Sequence, residues 1–118
     1  MTQDSPYQIV LDYHRAWTSG DIDRAMTHVA DDITCRAPAG DLTGKPAYRE
    51  FIAGFAPTLT GLTAIADFAD GDRVALFYYP QTSATTTAPA SECFTVRGGK
   101  IIETVLIFDR LSFAPTGA

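Results

Sequence analysis

Apolar positions recur along the chain at two spacings, and the change between them divides it into a helical half and a strand half. Val10, Tyr13 and Trp17 follow Pro6 at helical intervals. Ser5 can cap this segment, Pro6 suits its first turn, Gln8 can complete a capping box, and Gly20 supplies the stop. Asp21 then caps a predicted second helix, with Asp23 in its first turn and Met26, Val29 and Ala30 on its apolar face. Ile33–Ala37 alternates, which predicts a short strand with Ile33, Cys35 and Ala37 on one side and Thr34 and Arg36 on the other. "PAGDLTGKP" (38–46) is turn chemistry, and a third helix opens near Pro46. Its Tyr48, Phe51, Ile52 and Phe55 repeat at i, i+3, i+4 and i+7, and Pro57 limits it.

From Leu62 the period becomes two. Asp70–Gly71 and Gly98–Gly99 mark hairpins, so four strands are predicted at about 62–69, 73–81, 88–97 and 101–111. "SATTTAP" (83–89) is a polar link between the middle two. Three helices followed by an antiparallel meander is an α+β pattern. Helices packed on one face of a strongly curved, mainly antiparallel sheet would bury the amphipathic stripes and leave a closed-ended cone. At 118 residues the chain holds one domain, with its core between about residues 6 and 111 and short polar tails.

Charge narrows the partners. Fourteen acidic and nine basic residues give a net charge of −5, which argues against nucleic acid or an anionic membrane, since both want a basic face. No apolar run approaches bilayer length, and "MTQDSPYQ" lacks the pattern of a secretory signal, so the expected address is the cytosol. Cys35 and Cys93 are expected to be buried small hydrophobes in a reducing compartment. With no CxxC and two histidines, a metal site has almost no ligand supply, and no cofactor is expected.

"WTSGDID" (17–23), "ADD" (30–32) and "GKPAYREF" (44–51) resemble the nuclear transport factor 2-like superfamily, nearest its SnoaL-like and ketosteroid-isomerase-like branches. The similarity runs from about Ile9 to Leu111. It implies a conical pocket for a small apolar molecule, in a homodimer that pairs the outer sheet faces. The superfold hosts isomerases, dehydratases, cyclases, epoxide hydrolases and plain binders, so the activity does not follow from it.

Which polar groups enter the pocket depends on the last hairpin. A three-residue loop of Gly98, Gly99 and Lys100 would set Arg97 opposite Ile101 and Glu92 opposite Leu106. Glu92 then shares the concave face with Phe94, Val96, Ile102, Thr104, Leu106 and Phe108, while Glu103 and Asp109 go to the outer face. Burial would raise the pKa of Glu92 and make it a hydrogen-bond donor. Aligning "IVLDY" (9–13) and "ASECF" (90–94) with the ketosteroid isomerase pattern implies that Tyr13 stands at the oxyanion-hole tyrosine and Glu92 at the protonated acid. Such a pair can polarise a carbonyl and stabilise an enolate. The pocket wall is expected from Trp17, Phe51 and Phe55 on the helices, and from Phe94, Thr104, Leu106 and Phe108 on the strands.

The departures from that pattern matter as much. The general-base position falls on Ala37, preceded by Arg36, and alanine cannot move a proton. Asp41, in the following turn, is the nearest replacement. Leu106 lies near the acid of SnoaL-type cyclases, and His14 and His28 are expected on the surface. Asp67 shows no clear facing, and no nucleophile elbow is present. Three readings follow: the first is a cofactor-free isomerase or cyclase acting on an apolar carbonyl compound, and the second a non-catalytic binder of a hydrophobic molecule. A structural dimer with a vestigial pocket is the third.

Overall fold

The computed structural model describes residues 4–114, so parts of the expected polar tails lie outside the described residues. The first helix, α1 (Pro6–Thr18), begins with the expected capping box. Ser5 Oγ accepts from the Gln8 N–H at 3.2 Å, and the Gln8 side chain accepts from the Ser5 N–H at 3.2 Å. α2 (Ile22–Met26) is capped by Asp21, whose carboxylate accepts from the Arg24 N–H at 3.2 Å.

Val29 and Ala30, expected on this second helix, instead open β1 (Val29–Ala37). The cause is tertiary: the Ile101 N–H donates to the His28 carbonyl at 2.8 Å, and Val29 pairs with Ile101, which draws the segment into the sheet. The stretch expected as pure turn contains a further strand, β2 (Gly40–Thr43), paired antiparallel with β1 from Ala37↔Gly40 to Thr34↔Thr43. α3 (Lys45–Phe55) follows and buries Tyr48 and Ile52.

The remaining strands are β3 (Gly61–Asp70), β4 (Arg73–Gln81), β5 (Ala90–Arg97) and β6 (Lys100–Phe108). The last strand stops three residues short of its expected end. Asp109 caps a 3-10 turn over Arg110–Phe113, its carboxylate accepting from the Leu111 N–H at 3.1 Å and the Ser112 hydroxyl at 2.7 Å.

The fold is α+β with helices against a mixed sheet of order β2-β1-β6-β5-β4-β3, in which only β1 and β6 run parallel. The expected strongly curved, closed-ended cone is not what forms. The sheet is open, and its edges β2 and β3 do not pair with one another. β3 is exposed along most of its length, so the helices leave that end of the sheet largely uncovered. The described chain measures 51 × 28 × 22 Å.

The core lies between the helices and the inner sheet face. Tyr13 and Trp17 of α1 and Tyr48 of α3 pack over Val74 of β4, Phe94 of β5 and Ile101 of β6. Each such large apolar side chain contributes roughly 1.5–3 kcal/mol on burial.

The final hairpin differs from expectation and reaches the expected outcome. Its loop has two residues, with Arg97 opposite Lys100 and Gly98 and Gly99 at φ +60° and +78°. Two positive φ values give a turn whose twist matches the flanking strands. The offset is recovered by a bulge at Ile102, since Val96 pairs with Ile101 and Thr95 with Glu103. Beyond it Glu92 stands opposite Leu106, and Ile101 takes the core place expected for Ile102.

Gly99→Ala is expected to lower stability by about 1–2 kcal/mol, because alanine is strained at that φ. Gly54→Ala in α3, where an added Cβ meets nothing within 4 Å, is expected to raise it by about 0.5–1 kcal/mol. Urea midpoints at unchanged slope check both.

Candidate functional site

Glu92 lies on the inner face of β5, between Leu76 of β4 and Leu106 of β6, and is 4% exposed. The Tyr78 hydroxyl donates to its Oε1. Burial pushes the carboxyl up to about 7, against the lowering effect of that hydrogen bond. Burial and the neighbouring Glu92 push the Tyr78 phenol well above its ordinary range, so it stays a donor. At neutral pH the group is therefore divided between a neutral acid and a carboxylate.

Glu92 and Tyr78 form part of the wall of a cavity of about 220 Å³. Trp17, Phe51 and Phe55 line it from the helices, and Leu106 and Phe108 from β6. These five were expected there. Phe94 and Thr104, also expected, are buried but are not among its lining residues: Phe94 packs edge-on against Tyr13 at 5.7 Å, and Thr104 Oγ1 has no hydrogen-bond partner.

Tyr13 is likewise fully buried outside the lining, and its hydroxyl is shared with Tyr48. The two phenols tie α1 to α3 behind the cavity, and burial pushes both well above the usual tyrosine range. Asp41 stands on exposed β2, 3.8 Å from Arg36, and does not line the cavity. Asp67 is exposed on β3 and accepts from the Tyr7 hydroxyl at 3.0 Å.

His14, expected on the surface, is buried. Its ring packs edge-on against Trp17 at 5.4 Å and Tyr78 at 4.6 Å, and its Nε2 has no partner. Burial lowers its pKa to about 4, so it is neutral at pH 7. The signal was present: Val10, His14 and Trp17 stand at i, i+4 and i+7. His28 is half-buried, its Nε2 2.5 Å from Asp12, which also accepts from Arg24 at 2.6 Å.

Cys35 is buried as expected. Cys93 is exposed, because its register beside Ala75 and Val105 points it to the outer face. Tyr78 and Pro80 belong to the "YYP" run (78–80), whose aromatic surface suited either the core or the rim of a ligand site, and both line the cavity. Arg110 and Phe113 join the lining although sequence did not single them out for it. The alternation Val74, Leu76, Tyr78, Pro80 on β4 marks Tyr78. Arg110 and Phe113 arrive only because the chain turns after Phe108. Among the described residues no three His, Cys, Asp or Glu side chains gather as a metal site, and no helix is long and apolar enough to cross a membrane.

The family model of SnoaL-like domains matches residues 10–104. The chain belongs to the SnoaL-like family. Its fold recurs in a protein of Kribbella flavida DSM 17836, 42% identical over 90% of this chain and 88% of that one, with a TM-score of 0.86. A nuclear transport factor 2-like protein of unknown function from Cytophaga hutchinsonii ATCC 33406 is 21% identical, over 92% and 93% of the two chains, at a TM-score of 0.78. A SnoaL-like protein of unknown function from Burkholderia thailandensis E264 is 22% identical, over 92% and 98%, at a TM-score of 0.74. No curated protein matches the chain to a significant degree.

Within this SnoaL-like domain, Glu92 and His14 act on stability with opposite signs. The Glu92 pKa is raised from 4.5 to about 7, so its stabilising contribution is present below 4.5 and is lost as pH rises through about 7. The His14 pKa is lowered from 6.5 to about 4, so its contribution is present above 6.5 and is lost as pH falls through about 4. Between pH 4.5 and 6.5 the two slopes oppose each other. Glu92→Gln removes one of them, and the variant is expected to gain roughly 3 kcal/mol relative to wild type between pH 4.5 and 7. Urea unfolding across that range measures the difference.

Proposed function

We propose that this SnoaL-like domain binds a small apolar carbonyl compound in the cavity and moves a proton on it without a cofactor, in the manner of an isomerase or cyclase. The observation that carries the reading is a carboxyl sunk in an apolar wall, held by Tyr78, with a pKa of about 7. A group titrating near the working pH serves as both base and acid. As carboxylate, Glu92 takes a proton from the carbon beside the ligand carbonyl. As carboxylic acid, it returns that proton to another carbon, so the balance closes on one residue. Once Glu92 is protonated its pull on the Tyr78 hydroxyl weakens, and that hydroxyl is freed to stabilise the enolate oxygen. Tyr13 and Tyr48 act as positioning residues behind it. Asp41, paired with Arg36 on the exposed edge, has no part in this scheme.

A second reading, a binder without turnover, draws on the lining itself, where Glu92 is the only acid or base of carboxylate or imidazole type. Proton exchange separates the two. β-Tetralone in heavy water is expected to exchange its α-hydrogens faster with the domain than in buffer alone, with a rate that rises through pH 7 as Glu92 ionises. Glu92→Gln is expected to lose at least about 10²-fold of that acceleration, with the signal followed by proton NMR. Exchange no faster than in buffer removes the catalytic reading.

The homodimer belongs to the same proposal. Phe68 and Ile107 are each 63% exposed on the outer sheet face, with Phe77 between their strands and 6.0 Å from Phe68. Exposed large apolar groups gathered on one face suit a second copy of the chain. Ile107→Asp is expected to convert a dimer to monomer in sedimentation without loss of helical signal.

A further inference from the structure

The cavity has donors inside and a cation at its mouth, and the two ends ask for different groups. Inside, the Trp17 indole N–H has no partner although the ring lines the cavity. The part of Glu92 that is a neutral acid at pH 7 adds a second donor, its Oε1 already accepting from Tyr78. Both ask for a neutral acceptor oxygen, and a charged group at that depth would lose its hydration without an opposite charge to meet it.

At the mouth stands Arg110, exposed and among the lining residues. The turn that carries it is pinned to the cavity, since Phe113 packs against Phe55 at 6.2 Å and Phe108 at 5.5 Å. The adjacent carboxylate of Asp109 is occupied by the Leu111 N–H and the Ser112 hydroxyl. The six ion pairs among the described residues use other cations. Arg110 is thus a permanently charged, fork-shaped donor set held over an apolar opening.

We propose that the ligand carries an anionic oxygen at the end opposite its carbonyl, and that Arg110 binds it at the mouth. The ligand class is a small aromatic or alicyclic keto acid, entering carbonyl first. Its size follows from the cavity, which is below the ~300–1,000 Å³ of sites for drug-sized molecules and holds one or two rings. Arg110 fixes which end enters, because a carboxylate pushed inward would meet Glu92 and no cation. This inference rests on the cavity being the carbonyl site described above.

Calorimetric titration with 4-acetylbenzoate and with its uncharged counterpart 4-acetylbenzamide tests both layers at pH 7. The wild-type domain is expected to bind the carboxylate about fivefold more tightly than the amide, a modest factor because the pair is solvent-exposed. Arg110→Met is expected to abolish that preference, the carboxylate losing more affinity than the amide, and 0.5 M NaCl is expected to shrink it. Equal binding of the two probes by the wild type overturns the role of Arg110 and leaves the carbonyl site standing. An equal loss for both probes in Arg110→Met also overturns it, since that is a packing effect. Failure of both probes to bind overturns the carbonyl site, and the anion site with it.

Discussion

A carboxyl sealed among apolar side chains and steadied by one phenol is the constraint around which this molecule is arranged. Glu92 sits on a central strand, where an unpaired charge would cost several kcal/mol. The chain meets that cost by letting the group hold its proton to near neutrality and by giving it the Tyr78 hydroxyl across the β4–β5 ladder. His14, packed against the same tyrosine, is driven the other way and sheds its charge. Burial thus discourages the charged form of both groups, one on each side of Tyr78.

The phenols have a mechanical part as well. Tyr13 and Tyr48 share a hydrogen bond between α1 and α3, while Tyr78 and Glu92 share one between two strands. Each bond satisfies a buried polar atom with another from a different element, so the polar core also ties the layers together. Trp17, His14 and Thr104 each keep one buried polar atom without a partner. Of the three, only the Trp17 ring lines the cavity, where its free indole N–H suits a polar ligand atom.

Much of this was legible in the residues. The α1 capping box, the amphipathic stripe of α3 and the alternation of β4 rest on local rules, and each stands where its pattern put it. Glu92 opposite Leu106 was also legible, though through a three-residue loop where the chain uses two residues and a bulge. What escaped was set by distant partners. Val29 and Ala30 look helical until Ile101 claims the segment, and β2 looks like a turn until β1 pairs with it. The unclear facing of Asp67 has the same origin, since the β3–β4 register shifts just before it, between Ala64 and Ala66. Sheet closure had no local signal either, because whether the edge strands β2 and β3 meet depends on the whole strand order.

The parallel seam between β1 and β6 sets the order in which the chain can assemble. Val29 and Ile101 lie at opposite ends of the sequence, and the Lys100 ammonium reaches back to the Thr27 carbonyl at 2.5 Å to fasten the same corner. During synthesis β1 and β2 leave the ribosome as an isolated hairpin whose inner neighbour is not yet made. Until the last strand emerges, Thr34, Cys35 and Arg36 have their β2 partners on one side but lack Glu103, Thr104 and Val105 on the other. Closing so long a loop is slow compared with forming the adjacent hairpins. The nascent domain therefore passes through a window in which its first strand is an open, sticky edge, and maturation waits on β6, which begins at Lys100.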